Sequence, residues 1–92
     1  MSHHYTICIT TTGQEEEPPL AFPVKIHDDL LAIIERVRAM EILPSDEAPA
    51  FALGLKLFAE TFIRHRKEPL FADLSTAFPA FMKKLKDQGS LG

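Results

Sequence analysis

Ala50-Phe51-Ala52-Leu53-Gly54-Leu55-Lys56-Leu57-Phe58-Ala59-Glu60-Thr61-Phe62-Ile63-Arg64-His65-Arg66 is a helix pattern that is apolar almost all the way round. Phe51, Leu55, Phe58 and Phe62 recur at helical spacing, Leu53, Leu57 and Ile63 widen their stripe, and Ala50, Ala52, Gly54 and Ala59 fill between them. Lys56, Glu60 and Arg64 interrupt it four residues apart, as one narrow charged strip suited to successive i,i+4 ion pairs. A surface helix of a small monomer carries a single apolar face. This one needs cover on several sides. It is therefore expected at the centre of the fold, with Phe51, Leu55, Phe58 and Phe62 as core and as the contact between two subunits.

The flanking segments supply less cover than that helix asks for. Tyr5, Ile7 and Ile9 alternate with Thr6, Cys8 and Thr10, which predicts a strand. Leu20, Phe22, Val24 and Ile26 alternate with Ala21, Pro23, Lys25 and His27, which predicts a second. Between them Gly13, the acidic run Glu15, Glu16, Glu17 and the pair Pro18-Pro19 read as a solvated loop. The expected result is an antiparallel hairpin with one apolar face, Pro23 turning its donor-less nitrogen to a free edge. Asp28 is the expected N-cap of a first helix, with Asp29 favourable at its positive end. Leu30, Ile33, Ile34 and Val37 then form an amphipathic stripe, closed by Ile42-Leu43-Pro44.

Ser45 reads as the cap of the central helix, with Pro49 in its first turn, where the missing N–H costs least. Pro69 opens a third helix whose stripe is Leu70, Leu74, Phe78, Phe81, Met82 and Leu85. Pro79 is expected to kink it near Ser75 to Phe78. The fold class is α+β: a two-stranded antiparallel hairpin followed by three helices (ββααα), a single compact domain over residues 1–92. Residues 1–4 and 88–92 are expected to be unstructured. Two strands cover three apolar helices poorly, a second reason to expect a homodimer.

The 92 residues carry a net charge of −3, which argues against binding phosphate backbones or anionic membranes nonspecifically. Cys8 is the only cysteine, so no intrachain disulfide forms. Leu30 to Ile34, the longest apolar run, is far below the roughly 20 residues that span a bilayer. The beginning Met-Ser-His-His-Tyr-Thr lacks the basic and apolar regions of a signal peptide. A cytoplasmic protein is expected.

Leu53-Gly54-Leu55-Lys56-Leu57-Phe58 with Glu60, then Pro69-Leu70-Phe71, Phe81-Met82 and Leu85-Lys86, resemble a small bacterial family of uncharacterised proteins, domain of unknown function 3861. The resemblance runs from about Tyr5 to Lys86. It implies a small α+β protein and brings no activity, ligand or catalytic residue with it. Thr61, Ser75 and Thr76 stand where that family's pattern suggests bulkier residues.

Several residues have a chemical reading beside a structural one. A histidine third from the N-terminus can hold Cu(II) or Ni(II) in a square-planar site, which makes His3 or His4 a metal candidate, according to whether Met1 stays. A tail bearing two histidines is the plainer account, and no metal site is expected. Cys8 is expected to be half-buried and structural, with nothing beside it in sequence to make it reactive. Asp28-Asp29 and Asp46-Glu47 look like paired carboxylates, but both pairs lie at helix N-termini, where capping explains them. Arg64, Arg66 and Lys67 form a possible anion patch that dipole complementarity explains equally well.

No P-loop, nucleophile elbow or metal-spaced Cys/His set is present, so neither a catalytic residue nor a cofactor is expected. The leading expectation is a non-enzymatic interaction or accessory protein, a homodimer that acts on a protein partner of unidentified kind, without membrane or nucleic acid. The alternative is a ribbon–helix–helix-like DNA-binding regulator. Its ribbon face would be Ala21, Pro23, Lys25 and His27, which offers one cation and little hydrogen-bonding code for bases. An enzyme would need His27, His65, Cys8 or the carboxylates to converge.

Overall fold

Pairing of Tyr5 with Val24 and of Ile7 with Phe22 aligns the apolar halves of both strands on one face of an antiparallel hairpin. The computed structural model describes residues 2–14 and 16–90. Its elements are β1 (His3–Ile9), β2 (Leu20–Ile26), α1 (Leu30–Met40), α2 (Ala48–His65), a 3-10 turn (Pro69–Phe71) and α3 (Leu74–Ser90). This is the expected ββααα order, in a single α+β domain, except that Pro69 opens a separate 3-10 turn and α3 starts only at Leu74, which leaves Leu70 exposed and off the expected stripe.

The ribbon begins earlier than Tyr5. His3 pairs with Ile26 and His4 with Lys25, so residues 3 and 4 are strand and not loose tail. The ladder extends because β2 offers partners down to Ile26, and the His3 ring stacks against Tyr5 with centroids 6.3 Å apart. At the other end α3 carries residues 88–90 as helix; Met1, Leu91 and Gly92 lie outside the described residues. Gly13 adopts φ 82 in the connecting loop, a conformation that only glycine reaches without cost.

The cap of α1 is Asp29, one residue later than expected. Its side chain accepts from the Ala32 N–H at 3.2 Å, because Asp28 is turned away to Lys56. The Leu30 N–H, also without an intrahelical acceptor, donates to the Tyr5 hydroxyl at 2.8 Å, which ties β1 to the start of α1. Glu41 ends α1 in the left-handed region, φ 58, its N–H donating to the Arg38 carbonyl. Ser45 does not cap α2. Residues 45–47 form a turn closed by the Glu47 N–H on the Pro44 carbonyl, 2.9 Å, and α2 starts at Ala48 with Pro49 in its first turn.

Burial along α2 falls on Ala48, Ala52, Ala59 and Phe62. The alanines let α1 approach, so that Val37 is buried against Ala48 and Ala52, with Ile33, Ile34 and Phe51 packed around them. Of the expected core stripe, Phe62 is buried, Phe51 and Leu55 are half-buried, and Phe58 remains 39% exposed. Small residues make the contact with α1, while the phenylalanines of the stripe turn toward the C-terminal elements.

Four phenylalanines hold the C-terminal half. Phe62 meets Phe71 and Phe78 edge-on, with ring centroids 5.8 and 5.1 Å apart, and Phe58 meets the same two at 6.2 and 5.4 Å. α3 continues through Pro79, whose missing N–H withdraws the donor that the Ser75 carbonyl would have had. Thr61, Ser75 and Thr76 are all exposed, so their small size leaves no gap inside.

Phe62→Ala should cost about 3–5 kcal/mol, the range for emptying an aromatic core site, and be read as a lower urea midpoint. Tyr5→Phe removes only the acceptor for the Leu30 N–H and should cost about 1 kcal/mol by the same measurement.

Candidate functional site

The charged strip of α2 reaches out of its helix. Glu60 accepts the backbone N–H of His27 at 3.1 Å and the His27 ring Nδ1 at 3.1 Å, and its side chain is 14% exposed. Lys56, equally covered, forms an ion pair with Asp28. Successive i,i+4 pairs along the helix were the expectation. The β2–α1 corner outcompetes them because it presents both an unsatisfied N–H and a carboxylate at the right height.

These contacts shift both carboxyl groups. The hydrogen bond from Lys56 lowers Asp28 from its ordinary 3.8; burial opposes this, while the charges of Lys56, Lys86 and His27 add to it. Burial pushes Glu60 up, but the His27 backbone and ring hydrogen bonds and the charges of His27 and Lys56 outweigh it, so Glu60 lies below its ordinary 4.5.

Beyond this corner, α1, α2 and α3 enclose an open groove of about 740 Å³. Leu55 and Ile63 of α2 and Phe78, Met82 and Leu85 of α3 supply most of its apolar floor. Arg36, Lys56 and Lys86 stand on its rim with a single carboxylate, Asp28. The groove lies in the space the three helices leave between them, beside the point where Phe78 ties α3 to Phe58 and Phe62 of α2. Its rim is cationic although the chain is acidic.

The other candidates are scattered. His3 and His4 point to opposite faces of β1, His3 half-covered and His4 exposed, and pairing of His3 with Ile26 engages the backbone that a square-planar site would have to wrap. Among the described residues no group of three or more His, Cys, Asp or Glu is placed to hold a metal ion. Cys8 is exposed, contrary to expectation, because it lies on the outward face of the ribbon opposite Ala21.

Arg64, Arg66 and Lys67 do gather, with His65 and Glu68, around a shallow depression of about 330 Å³ at the end of α2. Asp46 and Glu47 fall in the turn before α2, where Glu47 makes no side-chain capping bond. Cys8, His27 and His65 sit on the ribbon, the corner and the end of α2 respectively. No helix among the described residues is long and apolar enough to cross a membrane.

The groove and the His27–Glu60 contact were missed from sequence. Each joins residues more than 20 apart along the chain, and only the small number of charges in α2, three in eighteen residues, hinted that those charges had a specific task.

The carboxylate shifts predict acid sensitivity. Both groups ionise more readily in the folded state, so their stabilisation is complete above their ordinary values and is lost as pH falls through the lowered ones. The urea midpoint should therefore drop below about pH 5. The double substitution Asp28→Asn with Glu60→Gln should flatten that drop.

No protein with a curated description matches this chain. The crystal structure of a protein of unknown function from Pectobacterium atrosepticum is similar, with 36% identity, a TM-score of 0.84, and coverage of 95% of this chain and 99% of the other. The model of a family described as a domain of unknown function with a solved structure matches residues 3–87. With the run around Gly54 and the Pro69-Leu70-Phe71 turn lying inside that match, the chain belongs to the domain of unknown function 3861 family.

Proposed function

We propose that the protein is a non-enzymatic interaction or accessory protein that works as a homodimer in the cytoplasm. The observation that carries this is surface. The chain exposes 7147 Å², whereas a folded monomer of 10.3 kDa should expose about 5,400 Å². The surplus, about 1,800 Å², is twice the roughly 800 Å² that each partner contributes to a standard interface.

Its distribution supports the same reading. The outward side of α2 carries Ala50, Gly54, Phe58 and Thr61, four exposed residues without a charge. A side chain at Gly54 would meet nothing within 4 Å, so no contact inside the chain accounts for a glycine that costs about 1 kcal/mol mid-helix. Close approach of another helix does. Against catalysis stands the use already made of the titratable groups: Glu60 is engaged by His27 and Lys56 by Asp28. The single cysteine suits a reducing compartment.

Light scattering after size exclusion at micromolar concentration should give about twice the chain mass, and Gly54→Arg should give the monomer. A monomeric wild type at that concentration overturns this reading.

A further inference from the structure

Two features of the fold are unexplained by its own contacts, and they match each other. The first is the far end of the ribbon. Ile9 and Leu20 face one another across the ladder on its apolar side, yet they are 53% and 60% exposed. The helices cover only the near end, where Ile26 is fully buried. Directly beyond this apolar pair, the loop carries Glu16 and Glu17, both exposed. A two-stranded ribbon is marginal in water, and one that leaves its apolar tip uncovered gains nothing from the tip's composition.

The second feature is the groove between α1, α2 and α3. Its floor, Leu55, Phe78 and Met82, is half-buried and without a partner on the open side. Its rim holds Arg36, Lys56 and Lys86 against Asp28 alone, a local excess of positive charge on a chain of net −3. An apolar knob ahead of an acidic loop fits an apolar trough with a basic rim in both polarity and charge.

We propose that each ribbon tip docks in the helical groove of a second copy. Ile9 and Leu20 of one protomer seat on Leu55, Phe78 and Met82 of the other, and Glu16 and Glu17 face Arg36 and Lys86. The exchange is reciprocal, as twofold symmetry requires, because every chain carries both the tip and the groove. It also fits the area. An interface through the outer side of α2 alone leaves the tip and the groove uncovered, whereas a surplus of about 1,800 Å² per chain is large enough to include them. This proposal rests on the homodimer inferred above and adds the segments that clasp it.

Charge exchange tests it on the full chain. One variant carries Glu16→Lys and Glu17→Lys, a second carries Arg36→Glu and Lys86→Glu, and a third carries all four. The dimer dissociation constant is measured by dilution with light scattering or sedimentation, and far-UV circular dichroism reports whether each variant is folded. All four positions are exposed, so the variants should retain wild-type helix and strand content.

Each reversed pair should raise the dissociation constant about tenfold or more, and the four-residue exchange should bring it back to within a few-fold of wild type. If neither pair changes the constant while the wild type is dimeric, the docking is wrong and the homodimer stands. If both pairs weaken the dimer and the full exchange fails to restore it, the two segments do not meet and the docking is again wrong. A monomeric wild type overturns the homodimer and this proposal together, and leaves the groove to a foreign partner.

Discussion

Helix α2 has more apolar circumference than its own chain can cover, and the arrangement of the other elements follows from that. The alanines at 48 and 52 draw α1 against one side, and the phenylalanines at 58 and 62 draw the 3-10 turn and α3 against the next. Lys56 and Glu60, between α1 and the ribbon, grip the β2–α1 corner. What remains is the outer face with Gly54. Each neighbour is held by a different physical device: close packing of small side chains, edge-to-face aromatic contacts, or charge-assisted hydrogen bonds. That variety lets one helix orient three partners without ambiguity of register.

The order of the strands and α-helices was legible because their periodicities are clean, whereas the 3-10 turn that separates Pro69 from α3 was not. Leu30, Ile33, Ile34 and Val37 permit only a helix, and Leu20, Phe22, Val24 and Ile26 only a strand. The boundaries were less legible, for reasons of competition. Asp28 and Asp29 are equivalent as caps until Lys56 takes one of them, and Lys56 is invisible to a local reading. His3 and His4 look like a tail until β2 proves long enough to pair with them.

The part that the alanines of α2 play was less legible for a related reason. Hydrophobicity ranks phenylalanine above alanine, but the separation between two helices is set by the smallest residues that let them approach. The groove was the least legible feature of all. It is the space between helices that fail to close on one another, and sequence patterns encode contacts far more directly than gaps. Arg36, Lys56 and Lys86 each looked like an ordinary wet cation, and only the fold sets them around one rim.

The Tyr5–Leu30 hydrogen bond, small in itself, has a consequence for the order of folding. β1 pairs with β2 across a ten-residue loop, and Tyr5 of β1 then meets the first turn of α1, the very next element. α1 in turn packs on α2 across a seven-residue connection. Structure can therefore accrete from the N-terminus in short loop closures, the regime in which small domains fold fastest. In the homodimer proposed above, the one event that chain connectivity cannot accelerate is the encounter of two folded chains, so its rate would follow how much of the protein the cell makes.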